Sequence, residues 1–279
     1  MMNSTEAGEA SFTYDKEDTA TVANEQEIMY SLILCDSGLG AGSIAHSQGL
    51  ESAYQNGFVA QSQESLKRYI ELVLYQSICQ ALPFVESSHA VGNRLSQQWG
   101  DRSEHWNHGM RTMMAIESHC SAVFAGSAVA NRASISQGKC LLRVVKDAFV
   151  EHKHVLRALY DEIDGTRLMG HYAPVFGLIC GVLKMSRHLT PLLFLRSIVR
   201  DLVSSATRLS IVGPLEGARV QVEMINTTLN MLKANRVAED DIVHNQQVET
   251  RYLESCQSSP ILDILQSKHD ILYTRLFNS

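Results

Sequence analysis

The sequence predicts an all-α protein, a single helical-bundle domain of roughly ten helices. Apolar residues recur at helical spacing along most of the chain, and only five prolines interrupt it. No run alternates apolar and polar residues in the way that strands do. With 279 residues, of which 45% are hydrophobic, the chain can bury one sizeable core.

The two ends of the chain depart from this pattern. Residues 1–23 are polar, with five acidic residues and one lysine, which predicts a disordered extension over residues 1–24. The helical domain is expected to occupy residues 25–250. Residues 251–279 form a C-terminal tail, for which we predict docking on a partner.

Composition excludes several classes of protein. A net charge of −6 and a pI near 6.0 argue against a nucleic-acid surface. No secretory signal is evident, and the longest uncharged span, 168–183, is shorter than the roughly 20 residues that cross a bilayer. Six widely spaced cysteines, mostly in apolar runs, indicate buried free thiols in a reducing compartment. We expect a cytoplasmic protein that binds neither nucleic acid nor a membrane.

The first well-marked helix follows Ser62, a plausible N-cap, and ends or kinks at Pro83. Its apolar residues recur at positions i, i+3, i+4 and i+7. They are Leu66, Tyr69, Ile70, Val73, Leu74, Ile78, Ala81 and Leu82.

A later pair of helices is marked by two prolines. Thr190-Pro191 is a good helix start, and Gly213-Pro214 ends that helix and starts the next. The apolar face of the first helix comprises Leu192, Leu195, Val199, Leu202, Val203, Ala206 and Leu209. That of the second comprises Ala218, Val222, Ile225, Leu229 and Leu232.

Two stretches break the helical pattern. Residues 97–109 are polar, contain Trp99 and Trp106, and are expected to form a loop. The last residues of the sequence include Tyr273, Leu276 and Phe277 around Arg275. We expect this apolar segment to be shielded from water by docking either on its own domain or on a partner. Composition favours neither surface.

Glycines mark two further places. Four glycines lie between Asp36 and Glu51, a density that lets the backbone approach another segment closely. Gly177-x-x-x-Gly181 puts two glycines on one helix face, although each costs about 1 kcal/mol relative to alanine. This predicts close packing against another helix, either within the chain or across a dimer.

Metal-ligand spacing gives the one enzyme-like signal. Glu86–His89 and Glu151–His154 both match Glu-x-x-His, two copies of which help to build a di-iron site in a four-helix bundle. Both pairs are expected on polar helix faces, whereas such ligands must point inward. A helical di-iron-type metalloenzyme is therefore the alternative hypothesis. Nucleotide-binding motifs are absent, because Gly138-Lys139 lacks the rest of a phosphate loop.

Four separated segments resemble the UreF family of urease accessory proteins in order and spacing. The run His46-Ser47-Gln48-Gly49-Leu50-Glu51 carries the first of them. The others contain Arg132-Ala133-Ser134, then Gly170-His171-Tyr172 with Arg208 and Gly213-Pro214, then Tyr273-Thr274-Arg275-Leu276-Phe277.

The resemblance implies a nickel-insertion chaperone component and not an enzyme. Such a protein is an all-α homodimer that bridges UreD (also called UreH) and the GTPase UreG, and that helps to deliver nickel to apo-urease. It has no cofactor of its own, since partner proteins handle nickel and GTP. No catalytic residue and no metal ligand is assigned.

The resemblance also implies roles for particular residues. Residues 43–51 would face the complex on the GTPase side, and the tail around Arg275 would bind UreD. Arg196 and Arg200 would lie at the dimer contact or, alternatively, on a solvated face. The residues assigned to partner contacts are Ser43, His46, Ser47, Gly49, Leu50, Glu51, Tyr273, Arg275, Leu276 and Phe277. Arg132, His171 and Arg208 match family positions without a distinguishable role.

Overall fold

A computed structural model of the chain describes residues 16–36, 46–97, 104–237 and 248–278. Within these ranges the chain is helical and contains no strand, which confirms the predicted fold class. The α-helices are α1 (Lys16–Leu34), α2 (Leu50–Gln55), α3 (Gln63–Gln80), α4 (Leu82–Gln97), α5 (Glu104–Val123), α6 (Ala128–Ala148), α7 (Lys153–Asp164), α8 (Tyr172–Val182), α9 (Leu189–Arg208), α10 (Pro214–Val237) and α11 (Pro260–Ser267). Short 3₁₀ helices cover Phe124–Gly126, Val150–His152, Val248–Glu254 and Lys268–Ile271. None of the described helices is long and apolar enough to cross a membrane.

The centre of the fold is the crossing of α4 and α8, the most extensive contact between described elements. A Cβ atom placed on Gly177 would lie 2.0 Å from the carbonyl oxygen of Val85, and one on Gly181 would lie 2.2 Å from that of His89. From the other side, a Cβ on Gly92 would lie 2.2 Å from the carbonyl oxygen of Leu178. The two backbones therefore touch, and the glycine pair packs within the chain.

The remaining helices pack around this crossing. α6 contacts α8 and α7, α5 contacts α4, and α10 contacts both α9 and α3. The predicted face of α3 is buried from Leu66 to Ile78, and Ser62 caps the helix by accepting a hydrogen bond from the Ser65 amide at 3.2 Å. The chain turns at Ala81, and Pro83 lies in the first turn of α4.

A polar cluster is buried at the N-terminal end of α8. Glu117 of α5 accepts hydrogen bonds from the backbone amides of Gly170 and His171, each at 3.1 Å. Burial raises the pKa of Glu117 to about 7 although these amides favour its charged form. The ring of His171 contacts the hydroxyls of Ser121 (2.9 Å) and Ser134 (3.1 Å), and burial lowers its pKa to about 4. His171 thus has a structural role, joining α5, α6 and α8.

Two boundary predictions differ from the structure. α1 begins at Lys16, so residues 16–24 of the predicted disordered extension are helical, while residues 1–15 lie outside the described residues. The predicted loop over 97–109 is helical from Glu104, because Trp106 packs on the core and donates a hydrogen bond to Glu162 at 3.3 Å. Trp99 lies outside the described residues.

The apolar face predicted for α10 is also only partly correct. Leu232 is buried, but Val222 and Ile225 are exposed by 66% and 50%. Leu215, which is outside the predicted face, is exposed by 86%. Helical spacing identifies an apolar stripe, yet it does not say whether that stripe meets the chain's own core. On α10 the buried side is supplied by Val220 and Met224 instead.

The α4–α8 crossing can be tested with Gly177→Ala. The added methyl group has no room against the carbonyl of Val85, so we expect a loss of about 1–3 kcal/mol in the free energy of unfolding, measured by urea denaturation. Gly126→Ala is the matched control, because a Cβ there meets nothing within 4 Å. Equal unfolding midpoints for the two variants would contradict the backbone contact.

Candidate interaction site at the C-terminal tail

The C-terminal tail runs back over the domain. After the 3₁₀ helix Val248–Glu254, the chain covers the C-terminal end of α3, where the Ser255 hydroxyl donates to the carbonyl of Gln80 at 2.7 Å. It then forms α11 and the 3₁₀ helix Lys268–Ile271, and its last residues lie on α2. The tail therefore docks on its own domain, which is one of the two surfaces predicted for it.

The carboxylate of Glu51 fixes the end of the tail. Its two oxygens accept hydrogen bonds from the backbone amides of Leu276 (2.6 Å) and Phe277 (3.1 Å). The same carboxylate contacts Nε2 of His269 at 3.1 Å, and both side chains are buried. A carboxylate removed from water needs such compensation, and hydrogen bonds to a charged group are the stronger kind. Glu51 thus connects α2 to two parts of the tail.

The turn before α2 fits closely beneath the tail. Gln48 and Gly49 have φ values of 51° and 81°, and the hydroxyl of Tyr69 donates to the carbonyl of Gln48 at 2.9 Å. A Cβ on Gly49 would lie 2.7 Å from Cγ of Gln266 in α11. Glycine is therefore needed here for both backbone conformation and close approach. Burial lowers the pKa of neighbouring His46, and the charge of His269 adds to this shift.

Two arginines hold the tail from the side of the domain. Nη2 of Arg132 donates to both carboxylate oxygens of Asp270, at 2.9 Å to Oδ1 and 2.8 Å to Oδ2. This pairing lowers the pKa of Asp270. The guanidinium of Arg208 lies 4.3 Å from the ring centre of Phe277, a cation–π contact, and Phe277 is buried. Arg132 and Arg208 match family positions in the sequence, and both contact the tail.

The other side of the tail is exposed and apolar. Tyr273 is fully exposed, and Ile264, Ile271 and Leu276 are each more than half exposed. We refer to these four side chains as the tail face. Arg275 is half exposed beside them, with Nη1 4.0 Å from the carboxylate of Asp270. Large apolar side chains that follow one another on a surface are typical of protein–protein contacts.

A comparison with models of protein families shows which family has this sequence pattern. The family model described as UreF matches residues 60–225, more than half of the sequence. The chain belongs to the UreF family. Urease accessory protein F of Arabidopsis thaliana is 32% identical over 248 residues, covering 88% of this chain and 90% of the relative.

Further relatives extend this result. Urease accessory protein F of Oryza sativa subsp. indica is 31% identical over 266 residues, covering 94% of this chain and 90% of its own. A UreF-like urease accessory protein of Schizosaccharomyces pombe, itself uncharacterized, is 26% identical and covers 92% of this chain and 99% of its own. The chain thus resembles UreF proteins well beyond the matched residues 60–225.

The predicted partner-contact residues separate into two groups in this UreF chain. His46, Ser47, Gly49, Leu50 and Glu51 are buried under the tail, so they form an intramolecular junction, and a partner could contact them only after the tail moves away. Ser43 lies outside the described residues.

Within the tail the division is the same. Tyr273, Arg275 and Leu276 are exposed, whereas Phe277 is buried against Arg208. Phe277 therefore anchors the tail to its own domain. Tyr273, Arg275 and Leu276 lie at the surface, where a partner could contact them.

The two predicted dimer residues also differ from each other. Arg200 is largely buried in its own chain, where it pairs with Asp201 at 2.7 Å and donates to the carbonyl of Cys35 at 2.5 Å. Arg196 is exposed and lines a cavity of about 210 Å³ between α9 and α10, together with Leu192, Ile225 and Leu229. Only Arg196 presents its side chain at a surface.

The Glu-x-x-His pairs are engaged in other contacts. Glu86 and His89 are buried, contrary to the polar face expected for them: Glu86 pairs with Arg251 at 2.6 Å, and His89 contacts the carbonyl of Met185 at 2.8 Å. Glu151 and His154 are exposed, and the helix breaks between them. In the described ranges no group of three or more His, Cys, Asp or Glu side chains could hold a metal ion.

Sequence patterns do not reveal the partners of Glu51. His269 is separated from Glu51 by 218 positions, and Asp270 from Arg132 by 138. Glu51 and Arg132 lie in segments that resemble UreF, but helical periodicity pairs only near neighbours. Substitutions that covary between positions 51 and 269 in an alignment are the signal that could have revealed the contact.

The tail junction can be tested with Glu51→Gln. The carboxamide keeps one accepting oxygen and turns an NH₂ group toward the second donor, which costs about 1–3 kcal/mol locally. We expect the amides of Leu276 and Phe277 to exchange hydrogen about tenfold faster or more, measured by hydrogen–deuterium exchange. Glu71→Gln, at an exposed position of α3, is the control and should leave both amides unchanged. Unchanged exchange in Glu51→Gln would show that the carboxylate does not hold the tail.

Proposed function

We propose that this UreF-family chain is a nickel-insertion chaperone component that bridges a UreD/UreH-type protein and a UreG-type GTPase on apo-urease. It acts in the cytoplasm as a scaffold and performs no catalysis itself, while its partners carry the nickel and the GTP. The observation that carries the proposal is the two-sided tail. One side is fixed to the domain through Glu51, Arg132 and Arg208, and the other presents the apolar tail face.

The tail face suits the UreD/UreH-type partner. Its backbone is held by buried hydrogen bonds, so little conformational entropy remains to be lost when a partner covers Tyr273 and Leu276. Aromatic and arginine side chains in such a position are typical interface anchors, and Tyr273 and Arg275 supply one of each. The GTPase would bind another surface of the domain, since His46 and Glu51 on the predicted GTPase side are buried under the tail.

The exposed stripe of α10 supports a homodimer. Leu215, Val222 and Ile225 lie on one side of this helix and are exposed. Arg196 and Ile225 both line the cavity between α9 and α10. A second copy of the chain could cover this stripe with its own α10, as a two-fold symmetric interface requires. Arg196 would then contact the partner, whereas Arg200 would support the interface from inside.

The function is tested by co-purification with the cognate UreD/UreH-type and UreG-type proteins. We expect the wild-type chain to form a ternary complex, and the double variant Tyr273→Ala/Leu276→Ala to bind the UreD/UreH-type protein about 30-fold more weakly or worse. Val150→Ala removes another exposed apolar side chain and should bind like the wild type. Melting temperatures of all variants establish that the fold is intact.

The two negative outcomes have different meanings. If the double variant binds normally, the tail face is not the contact, although the scaffold function survives. If the folded wild-type chain binds neither protein, the proposed function is wrong.

The homodimer is tested with Ile225→Asp. A carboxylate in the middle of the stripe would be buried without a partner, so we expect a monomer by analytical ultracentrifugation at concentrations where the wild type is dimeric. Val150→Asp places the same charge on another exposed apolar site and should remain dimeric. A dimeric Ile225→Asp variant would move the interface away from α10.

A further inference from the structure

Two cysteines from distant parts of the chain meet where the tail covers the end of α3. Cys79 lies in the last turn of α3, and Cys256 lies between the 3₁₀ helix Val248–Glu254 and α11. The amide of Cys256 donates a hydrogen bond to the carbonyl oxygen of Cys79 at 3.1 Å. The two thiols are close enough to interact electrostatically.

The spacing of the two backbones is compatible with a disulfide. A 3.1 Å contact from amide to carbonyl limits the separation of the two Cα atoms to about 7 Å, near the upper end of the range that disulfides span. Cys79 and Cys256 are both free thiols. Cys120 and Cys180, in contrast, are fully buried in the core.

The surroundings give the two thiols different accessibility. Cys256 is exposed, so a reagent from solution meets it first. Cys79 is half-buried, and burial raises the pKa of its thiol, with a further contribution from the charge of Cys256. An exposed attacking thiol beside a shielded second thiol is the arrangement of a reactive and a resolving cysteine.

We propose that Cys79 and Cys256 form a reversible redox site, a disulfide that a low-molecular-weight disulfide such as oxidised glutathione makes and that thiols reverse. The proposal is independent of the proposed function. It differs from the expectation of inert buried thiols, because one member of the pair is exposed.

The exchange proceeds in two balanced steps. The thiolate of Cys256 attacks one sulfur of the small disulfide, whose S–S bond breaks and releases one thiolate, leaving a mixed disulfide on Cys256. The thiolate of Cys79 then attacks the sulfur of Cys256, forms the protein disulfide and expels the second small thiolate. The pair loses two electrons, the small disulfide gains them, and the two protons end on the two released thiols.

Oxidation would fix the start of the tail to α3. The link to α3 then no longer depends on the backbone hydrogen bond and on the contact between Ser255 and Gln80. We expect the amide of Cys256 to exchange hydrogen at least tenfold more slowly in the oxidised chain. Unchanged exchange would overturn this consequence for the tail.

The site is tested on the full-length chain with oxidised glutathione as the probe. We expect two of the six thiols to be lost to alkylation, no glutathione to remain bound, and peptide mass spectrometry to identify a link between Cys79 and Cys256. Cys79→Ser should instead retain one glutathione on Cys256, because no thiol resolves it. Cys140→Ser, on α6, is the matched control and should form the link as the wild type does.

Three results would overturn the proposal. They are a wild-type chain that keeps glutathione on Cys256 with Cys79 still open to alkylation, a link that involves other cysteines, and a loss of two thiols to oxidation that is equally large in Cys256→Ser. Melting temperatures of the variants distinguish these results from loss of the fold.

Discussion

The contact between the backbones of α4 and α8 is the constraint on which the rest of the fold depends. Three glycines, at positions 92, 177 and 181, let the helices approach until a carbonyl occupies the place of a side chain. α6 approaches the start of α8 in the same way, because a Cβ on Gly138 would lie 2.2 Å from the carbonyl oxygen of Gly170. This closeness buries α8 from Ala173 to Val182 and leaves its N-terminal end to be completed by Glu117.

The tail is added to this packed centre with a different kind of interaction. Leu262 and Leu265 of α11 reach the core, and polar atoms fix the end of the tail. The carboxylate of Glu51 accepts from two backbone amides, and the guanidinium of Arg132 donates to the carboxylate of Asp270. Phe277 is also buried, under Arg208. The four side chains of the tail face remain exposed. The tail therefore presents a surface that its own domain holds in place and that remains open to a partner.

Much of the fold could be predicted from the sequence, since helical spacing is a local signal. The buried face of α3, the cap at Ser62 and the helix start at Pro214 follow from neighbouring residues alone. The stripe of α10 was also visible, but its burial depends on what packs beside it. The site was harder to predict, because Glu51 and His269 are paired only by the fold. Residues near Glu51 were therefore expected at a partner surface, whereas the chain's own tail covers them.

The separation between Glu51 and the tail has a consequence for synthesis of the chain. The amide that Glu51 accepts from Leu276 lies 225 residues further along, and translation adds about 5–20 residues per second. Glu51 therefore leaves the ribosome about ten seconds or more before its partner exists, and its carboxylate stays in water during that time. Glu51 at the start of α2 acquires its final environment only after Leu276 and Phe277 have been made. A chain truncated before Leu276 would keep His269 against Glu51 but lose the two backbone amides that donate to this carboxylate.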